Sequence, residues 1–322
     1  MQTELPDTFE WVKRIRKYED NPILRPQGRG YAADNIFNPA AVVYQGRVGL
    51  LCRCINMARR PKGNNWSVSS FGWAWSDDGF HFELDESPVP EFDVDEKSPY
   101  QGGFEDPRLV KIGDEWVLTY TGVHDMKHTP GMIAFSKDLK HWELGGEVLP
   151  GRAIAIVNQK IGGRYWAYWG NHNLELAWSE DLRHWHVNET PAVTCREGFF
   201  DEHTCEAAAA PIVTDDGILL FYNGAVYSHE KAKAFARAKL TYLSELPHWY
   251  YQPGWVLFDR NDPTKVTARC TEPILAPDCL FEQLGMVPYT VFAQGYVQFK
   301  GKHILYYGCA DQKIGAAYAE FK

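Results

Sequence analysis

The stretch Ala134–Trp142, AFSKDLKHW, occurs in three related copies along this chain. The other two copies are Ala74–Phe82, AWSDDGFHF, and Ala177–Trp185, AWSEDLRHW. Each copy has a serine two residues before an aspartate and ends on an aromatic residue. Serine and aspartate side chains bond to nearby backbone groups in turns, and the flanking residues are typical of strands. The repeat therefore predicts a hairpin turn covered by an aromatic side chain, with a structural role.

Around these copies the chain shows a repeating unit of strand, tight turn and further strands. The units begin near Phe37, Glu105, Ala153, Glu206 and Val287. Units of about 45 to 80 residues with about four antiparallel strands each are typical of propeller blades. The sequence therefore predicts an all-β fold, a five-bladed β-propeller that forms a single domain over residues 1–322. Residues 1–30 are expected to be an irregular N-terminal lead-in.

Composition and charge limit the class of protein. The chain has 322 residues, of which 45% are hydrophobic, and its formal net charge of −9 comes without a basic block, which argues against a nucleic-acid partner. Seven cysteines without a CxxC pair favour free thiols in a reducing compartment. Met1–Asp20 lacks the apolar core of a signal peptide, and no apolar run approaches the roughly 20 residues of a membrane helix. We therefore expect a cytoplasmic protein without a membrane partner.

The segment Glu105–Arg108, EDPR, has the residue types of a catalytic site. It follows two glycines and leads into an alternating apolar run, which predicts a polar loop that feeds a strand. A carboxylate held at the start of a strand beside a cation is a common arrangement for a catalytic acid. The alternative is a salt bridge within the loop, from Glu105 or Asp106 to Arg108.

In a propeller the innermost strands begin at one end of a central channel, where a pocket is expected. Polar residues dominate the starts of these strands and the matching positions of the second strands: Asn38, Arg53, Glu105, Asp106, Thr121, Arg152, Asn171, Glu206, Asn223, Tyr289 and Asp311. Carboxylates, arginines and amides of this kind bind sugar hydroxyls. The set contains no His/Cys cluster at metal spacing and no glycine-rich phosphate loop. It predicts a site for a small carbohydrate, without a metal or cofactor.

Six motifs in the same order make the chain similar to glycoside hydrolase family 130. They are Asn21–Ile23, Phe37–Ala40, Leu50–Arg53, Glu105–Arg108, Lys160–Tyr165 and Tyr306–Asp311, and the resemblance covers residues 21 to 320 or so. The family contains inverting β-mannoside phosphorylases and related β-1,2-mannosidases, all five-bladed propellers. The resemblance implies that Asp106 is the catalytic acid, which protonates the glycosidic oxygen through the 3-hydroxyl of the bound mannose. It also implies that Asn38, Arg53 and Asp311 hold that mannose.

The chain departs from the resemblance at the phosphate site of the family's phosphorylases. Arg152 matches the phosphate-binding arginine of the family. The family's phosphate-binding lysine and histidine are replaced here by Thr204 and Asn223, and Glu206 occupies the position of a glycine. A carboxylate a few ångströms from a phosphate dianion costs on the order of several kcal/mol. We therefore interpret Glu206 as the general base of an inverting hydrolase, which activates water opposite Asp106.

The predicted function is hydrolysis of β-1,2-linked or related mannosides by an exo-acting, inverting β-mannosidase. Glu202 is the reserve candidate for the base, and a salt bridge from Glu206 to Arg152 is the structural alternative. The predicted substrate-binding residues are Asn38, Arg53, Glu105, Arg108, Arg152, Asn223 and Asp311.

Other functions stay open. They are a phosphorylase that releases mannose 1-phosphate, with His203 in its phosphate site, a non-catalytic sugar-binding propeller, and a five-bladed arabinofuranosidase or fructosidase. Linkage, aglycone and oligomeric state stay open as well. The leaving-group subsites are expected in the loops at residues 57–66 and 228–236.

Overall fold

The computed structural model describes residues 4–59, 67–94, 98–124, 128–227 and 249–321. Strands make up most of the regular secondary structure in this part of the chain, which confirms the prediction of a mostly-β fold. The helices are short: 3-10 helices at Asp7–Arg14, Gly30–Ala32, Met57–Arg59 and Pro90–Phe92, and one α-helical turn, α1, at Leu280–Gln283. No described helix has the length and apolar character needed to cross a membrane. Residues 60–66 and 228–236 of the predicted leaving-group loops lie outside the described residues.

The strands follow one another closely along the chain. In order they are β1 (Arg16–Lys17), β2 (Asn35–Tyr44), β3 (Arg47–Ile55), β4 (Ser69–Ser76), β5 (Glu83–Leu84), β6 (Gly103–Ile112), β7 (Glu115–Val123), β8 (Gly131–Ser136), β9 (Glu143–Leu149), β10 (Ala155–Ile156), β11 (Tyr165–Trp169), β12 (Glu175–Ser179), β13 (His186–Val187), β14 (Thr204–Ala207), β15 (Ile212–Thr214), β16 (Gly217–Tyr227), β17 (Trp249–Phe258), β18 (Val266–Arg269), β19 (Val291–Phe299), β20 (Lys302–Cys309) and β21 (Lys313–Glu320).

Hydrogen bonding joins these strands into four sheets. The first contains two antiparallel units, β2–β5 and β6–β9, which meet at one parallel pair between Ser69 and Gly103. The second contains β10–β13, the third contains β14–β18, and the fourth contains β19–β21 with β1 at its edge. Within the described ranges the chain therefore forms five successive antiparallel units, in the order that the repeat predicts.

The recurring nine-residue string forms the turn that joins the third and fourth strands of its unit. In Ala134–Trp142 the Ser136 hydroxyl accepts a bond from the backbone N–H three residues later, at 2.9 Å. The Asp138 carboxylate accepts from the N–H groups two and three residues later, both at 2.9 Å. The other two copies make the same bonds. The serine and aspartate therefore shape the backbone of the hairpin, as predicted.

The N-terminal lead-in is more regular than the sequence predicted. The 3-10 helix at Asp7–Arg14 buries Phe9, Trp11 and Val12, and the Trp11 ring stacks on His303 with 3.8 Å between ring centroids. The two-residue strand β1 then pairs with β21. Elements this short contain too few residues to show a periodic pattern in the sequence. Packing against the rest of the chain stabilises them, and that packing is not visible in the sequence.

The apolar core lies where neighbouring units pack together. One cluster, for example, combines Leu51 of β3 with Leu118 of β7 and Met132 of β8. The seven cysteines are all free thiols, five of them buried, which agrees with the expectation from their number and spacing.

Bulges interrupt three strands where they approach one another. The register shifts between Phe37 and Ala40 in β2, between Glu105 and Arg108 in β6, and across Gln294 in β19. A bulge adds an unpaired residue to a strand and redirects its side chain. In β2 and β6 the bulges contain the polar residues that the sequence analysis selected.

Candidate active site

Asn38 and Asp106 occupy equivalent positions in the bulges of β2 and β6. Both have positive φ, 43° and 53°, and each is followed by a proline, so the backbone holds both side chains in unusual directions. Asn38 Nδ2 donates to Asp106 Oδ1 at 3.0 Å, and both residues are buried. Gly308 makes room for this contact, since a Cβ there would lie 2.1 Å from Asn38 Oδ1. The Asp106 carboxylate is therefore rigidly placed.

Two arginines bridge Asp106 and its neighbour Glu105. Arg53 Nη1 lies 3.1 Å from Asp106 Oδ1, while its Nη2 donates to Glu105 and its Nε donates to Ser69 Oγ at 2.9 Å. Arg152 Nη2 donates to Glu105 Oε2 at 3.1 Å, and its Nη1 lies 3.9 Å from Asp106 Oδ2. The Arg152 side chain is 24% exposed and that of Arg53 only 9%, so Arg152 is the more accessible cation.

These cations control the charge of Asp106. Burial favours the neutral acid, but Arg53, Arg152 and Arg108 together outweigh it and lower the pKa of Asp106 below its ordinary value. Asp106 is therefore a carboxylate at neutral pH in this arrangement. A role as general acid requires something that raises this pKa.

Glu206 lies on β14, opposite Asn223 of β16, and is also buried. Burial raises the pKa of Glu206 to about 7, against the opposing charges of Arg108 and Arg152, and repulsion from Asp106 and Glu105 adds to the rise. A carboxyl group with a pKa near neutral is suited to accept or donate a proton at physiological pH.

Asp311 belongs to the same group of charges. Burial raises its pKa to about 7 although Arg53 opposes the shift, and the carboxylates of Asp106, Glu105 and Glu206 contribute to the rise. The described residues thus bring seven of the predicted groups into one cluster of four carboxylates and three arginines, which we call the carboxylate cluster. Its members are Glu105, Asp106, Glu206, Asp311, Arg53, Arg108 and Arg152.

Arg108, which was predicted to bind substrate, is bonded to backbone carbonyls. Its guanidinium donates to the backbone carbonyls of Asp106, Ala207 and Ala208 at 2.7 to 3.2 Å, and the residue is buried. Its Nη2 lies 3.8 Å from Glu206 Oε1. Arg108 therefore ties β6 to β14 and supplies positive charge behind Glu206. Among the described ion pairs, Arg108 makes no salt bridge to Glu105 or Asp106.

Asn223, which was also predicted to bind substrate, is bonded to the backbone of a neighbouring strand. It is fully buried, and its amide is used by β19: Nδ2 donates to the Ala293 carbonyl at 2.9 Å, and Oδ1 accepts from the Ala293 N–H at 2.8 Å. This side chain therefore holds β16 against β19. The sequence analysis could not tell this, because an asparagine that satisfies backbone groups and one that binds sugar look alike in a strand.

The two candidate bases occupy different surroundings. Glu202 is half-buried in the loop before β14, and among the described residues no contact joins its carboxylate to the carboxylate cluster. Glu206 interacts with Arg108 and shifts the titration of Asp311. The bonds of Arg152 go to Glu105, so the proposed salt bridge from Glu206 to Arg152 is not among the contacts described. The geometry therefore favours Glu206 over Glu202.

Two residues near the cluster were missed. Gln294, in the bulge of β19, is buried and its Nε2 donates to the backbone carbonyls of Asn38 at 2.9 Å and Pro107 at 2.8 Å. It thereby fixes both bulges from a third strand. A polar residue inside the apolar run VFAQGYVQF was the available signal. The second is Tyr251 of β17, whose pKa is raised by burial and then by the charges of Glu206 and Asp311.

Comparison with known proteins identifies the family. The glycoside hydrolase family 130 model, described as β-1,4-mannooligosaccharide phosphorylase, matches residues 2–322. A 1,2-β-oligomannan phosphorylase of Thermoanaerobacter sp. (strain X514) is 30% identical over 315 residues, covering 96% of this chain and 98% of the relative. A β-1,2-mannobiose phosphorylase of the same organism is 31% identical over 320 residues, covering 95% and 97%.

A solved structure agrees with this assignment. The structure belongs to the GH130 family of mannoside phosphorylases. That family contains glycoside hydrolases that target β-1,2 mannosidic linkages in Candida mannan. Its TM-score is 0.82 at 30% identity, and the match covers 99% of this chain and 96% of that chain. The chain therefore belongs to glycoside hydrolase family 130.

Proposed function

We propose that this chain is an inverting exo-β-mannosidase that hydrolyses β-1,2-linked mannosides, with Asp106 as general acid and Glu206 as general base. The observation that carries the proposal is the buried Glu206 carboxyl, with a pKa of about 7, in a cluster that also contains Asp106. The similarity to a solved GH130 structure supports β-1,2-mannosides as the substrate class, because that family contains hydrolases of β-1,2 mannosidic linkages.

Electrostatics favours water over phosphate as the attacking molecule. Arg152, at the position of the phosphate-binding arginine, already donates to Glu105. An ionised Glu206 beside a phosphate dianion would cost on the order of several kcal/mol at an effective dielectric near 20. Water has no such penalty, and an ionised Glu206 can take its proton.

The acid role of Asp106 sets a requirement on the substrate. Its pKa is lowered in the present arrangement, so a bound sugar has to raise it before Asp106 can supply a proton. A sugar that covers the carboxylate excludes water, and desolvation favours the protonated form. Its hydroxyls would also compete for the donors of Asn38 and Arg53, which now stabilise the charged form.

Phosphorolysis is the second candidate, because both curated relatives named above are phosphorylases of β-1,2-mannosides. A pKa near 7 allows Glu206 to be protonated in part of the molecules at neutral pH. A protonated Glu206 would donate a hydrogen bond to phosphate and would not repel it. The two candidates therefore need opposite protonation states of the same side chain.

The experiment is an assay of β-1,2-mannobiose in phosphate-free buffer and in buffer with inorganic phosphate. The proposal expects mannose as product at the same rate in both, with initial release in the inverted configuration. Mannose 1-phosphate formed only with phosphate would establish the second candidate. Glu206→Gln should lose activity by a factor of about 100 or more, and Glu202→Gln serves as the matched control from the neighbouring loop.

We also propose that the five antiparallel units are arranged as the blades of a propeller, with β2, β6, β10, β14 and β19 innermost. Bonds between units at these strands support the arrangement: Arg108 of β6 reaches the carbonyl of Ala207 in β14, and Gln294 of β19 reaches Asn38 in β2. A crystal structure in which these strands do not surround a common axis would contradict it.

A further inference from the structure

Three potential metal ligands meet at one end of the unit β6–β9. His124 directly follows β7, His128 lies three residues before β8, and Glu147 is in β9. Glu147 Oε1 lies 3.0 Å from His124 Nε2 and 3.4 Å from His128 Nε2. One ligand atom from each side chain lies within 4.8 Å of the other two. We call these three residues the histidine–glutamate trio.

The spacing of these atoms suits a shared ion. Zinc bonds imidazole nitrogen and carboxylate oxygen at about 2.0 to 2.2 Å, so donor atoms at tetrahedral angles lie about 3.3 Å apart. The two distances from the Glu147 oxygen lie close to that value. Both imidazoles also approach the Glu147 oxygen through Nε2. Two of the three donor separations are therefore compatible with one shared ion.

Other histidine–carboxylate contacts among the described residues differ in kind. His81, His141 and His184 each approach, through Nδ1, the aspartate three residues earlier, at 2.7 to 2.8 Å. Those aspartates are already engaged by the backbone of the same turn, and each has a single histidine. In the trio, two imidazoles converge on one oxygen from a different strand. This convergence sets the trio apart from ordinary surface contacts.

We propose that His124, His128 and Glu147 form a binding site for a divalent transition-metal ion of the Zn²⁺ class. Two imidazoles and a carboxylate suit zinc, cobalt and nickel better than magnesium or calcium, which prefer oxygen ligands. Three protein ligands also leave a coordination position for water. The sequence analysis missed the site because the third ligand comes from another strand, and because it considered only the predicted pocket positions.

The site would connect the chain between β7 and β8 to β9. Val123 pairs with Gly103 and Thr121 pairs with Glu105, so the trio lies at the end of β7 that is nearer the carboxylate cluster. The bound ion would hold this end of the unit together. The proposal does not depend on which reaction the carboxylate cluster catalyses.

The test is titration of Co²⁺ into the full-length protein after metal has been removed with a chelator, followed by calorimetry and visible absorption. We expect one ion per chain, with the absorption of nitrogen- and oxygen-bound cobalt, and a rise in melting temperature with cobalt concentration. Glu147→Gln and His124→Ala should each weaken binding at least about tenfold. His141→Ala is the matched control, a surface histidine with a carboxylate partner but no second histidine, and should bind as wild type does.

Three results would overturn the proposal. The first is the absence of binding to the wild-type protein, and the second is unchanged binding in both Glu147→Gln and His124→Ala. The third is a cobalt–thiolate charge-transfer band, which would show that cysteines bind the ion instead. If His124→Ala unfolds, the conservative Glu147→Gln variant still decides the outcome.

Discussion

Replacing Glu206 by glutamine should make the protein more stable at alkaline pH while removing its activity. The folded protein raises the pKa of this buried carboxyl from 4.5 to about 7. Keeping it ionised in the folded state therefore costs about 3 kcal/mol relative to the unfolded chain. The contribution of protonated Glu206 to the free energy of unfolding is fully present below about pH 4.5, and it is lost as the pH rises through about 7. Glutamine, which never ionises, avoids this loss.

A structural role for Glu206 predicts the opposite sign. If Glu206 mainly neutralised Arg108, its removal would leave a buried cation unpaired, which costs about 3 to 5 kcal/mol. Arg108, however, donates to three backbone carbonyls and lies 3.8 Å from the nearer Glu206 oxygen. The arginine therefore keeps its hydrogen bonds in the variant, and we expect the stabilising effect to dominate.

The assay is urea denaturation of both proteins at about pH 5 and about pH 8.5, on either side of the shifted pKa. The variant should gain about 3 kcal/mol at the higher pH and less than about 1 kcal/mol at the lower one. Glu202→Gln, at a half-buried position outside the carboxylate cluster, should change neither value by more than about 0.5 kcal/mol. A Glu206→Gln protein destabilised by several kcal/mol at both pH values would refute the reasoning.

Other perturbations test the geometry around the cluster. Gly308→Ala places a Cβ 2.1 Å from Asn38 Oδ1, so the amide must move; we expect kcat to fall on the order of 100-fold with the β-sheet circular dichroism retained. An unchanged kcat would mean that the Asn38 contact is dispensable. Asn223→Ala leaves the Ala293 N–H and C=O unpaired, so the free energy of unfolding in urea should fall by roughly 2 to 3 kcal/mol, with KM unchanged. A raised KM at full stability would instead place Asn223 in the substrate site. The rate of hydrolysis should increase as the pH rises through about 7, because ionised Glu206 is the active base. A rate that decreases over this pH range would favour the phosphorylase.

The parts of the fold that repeat were predictable from the sequence. The string at Ala134–Trp142 marks a turn because its serine and aspartate bond to the backbone within five residues, so local sequence determines the structure. The EDPR segment was assigned to the entry of a strand, and it occupies a bulge in β6. The 3-10 helix at Asp7–Arg14 and strand β1 were not predictable, because both depend on contacts with residues near the other end of the sequence.

Within the site, residue types were predictable and side-chain directions were not. Arg53 lies against Asp106, and the charge of Asp106 contributes to the raised pKa of Glu206, so these three selected residues belong to one group of charges. Arg108 lies only two residues from Asp106, yet the bulge between Glu105 and Arg108 directs its guanidinium toward the carbonyls of β14. One inserted residue changes the face on which a side chain lies, and the sequence gives no sign of where that residue is.

The pairing of Arg16 with Tyr318 has a consequence for how the protein is made. Because β1 pairs with β21, the fourth sheet cannot be completed during translation until β21 has been synthesised. A stop codon before β21 would leave β1 without the strand with which it pairs, and a stop codon before His303 would also remove the ring on which Trp11 stacks. Premature termination should therefore expose the N-terminal residues to proteases, although the stop codon lies far away from them in the sequence.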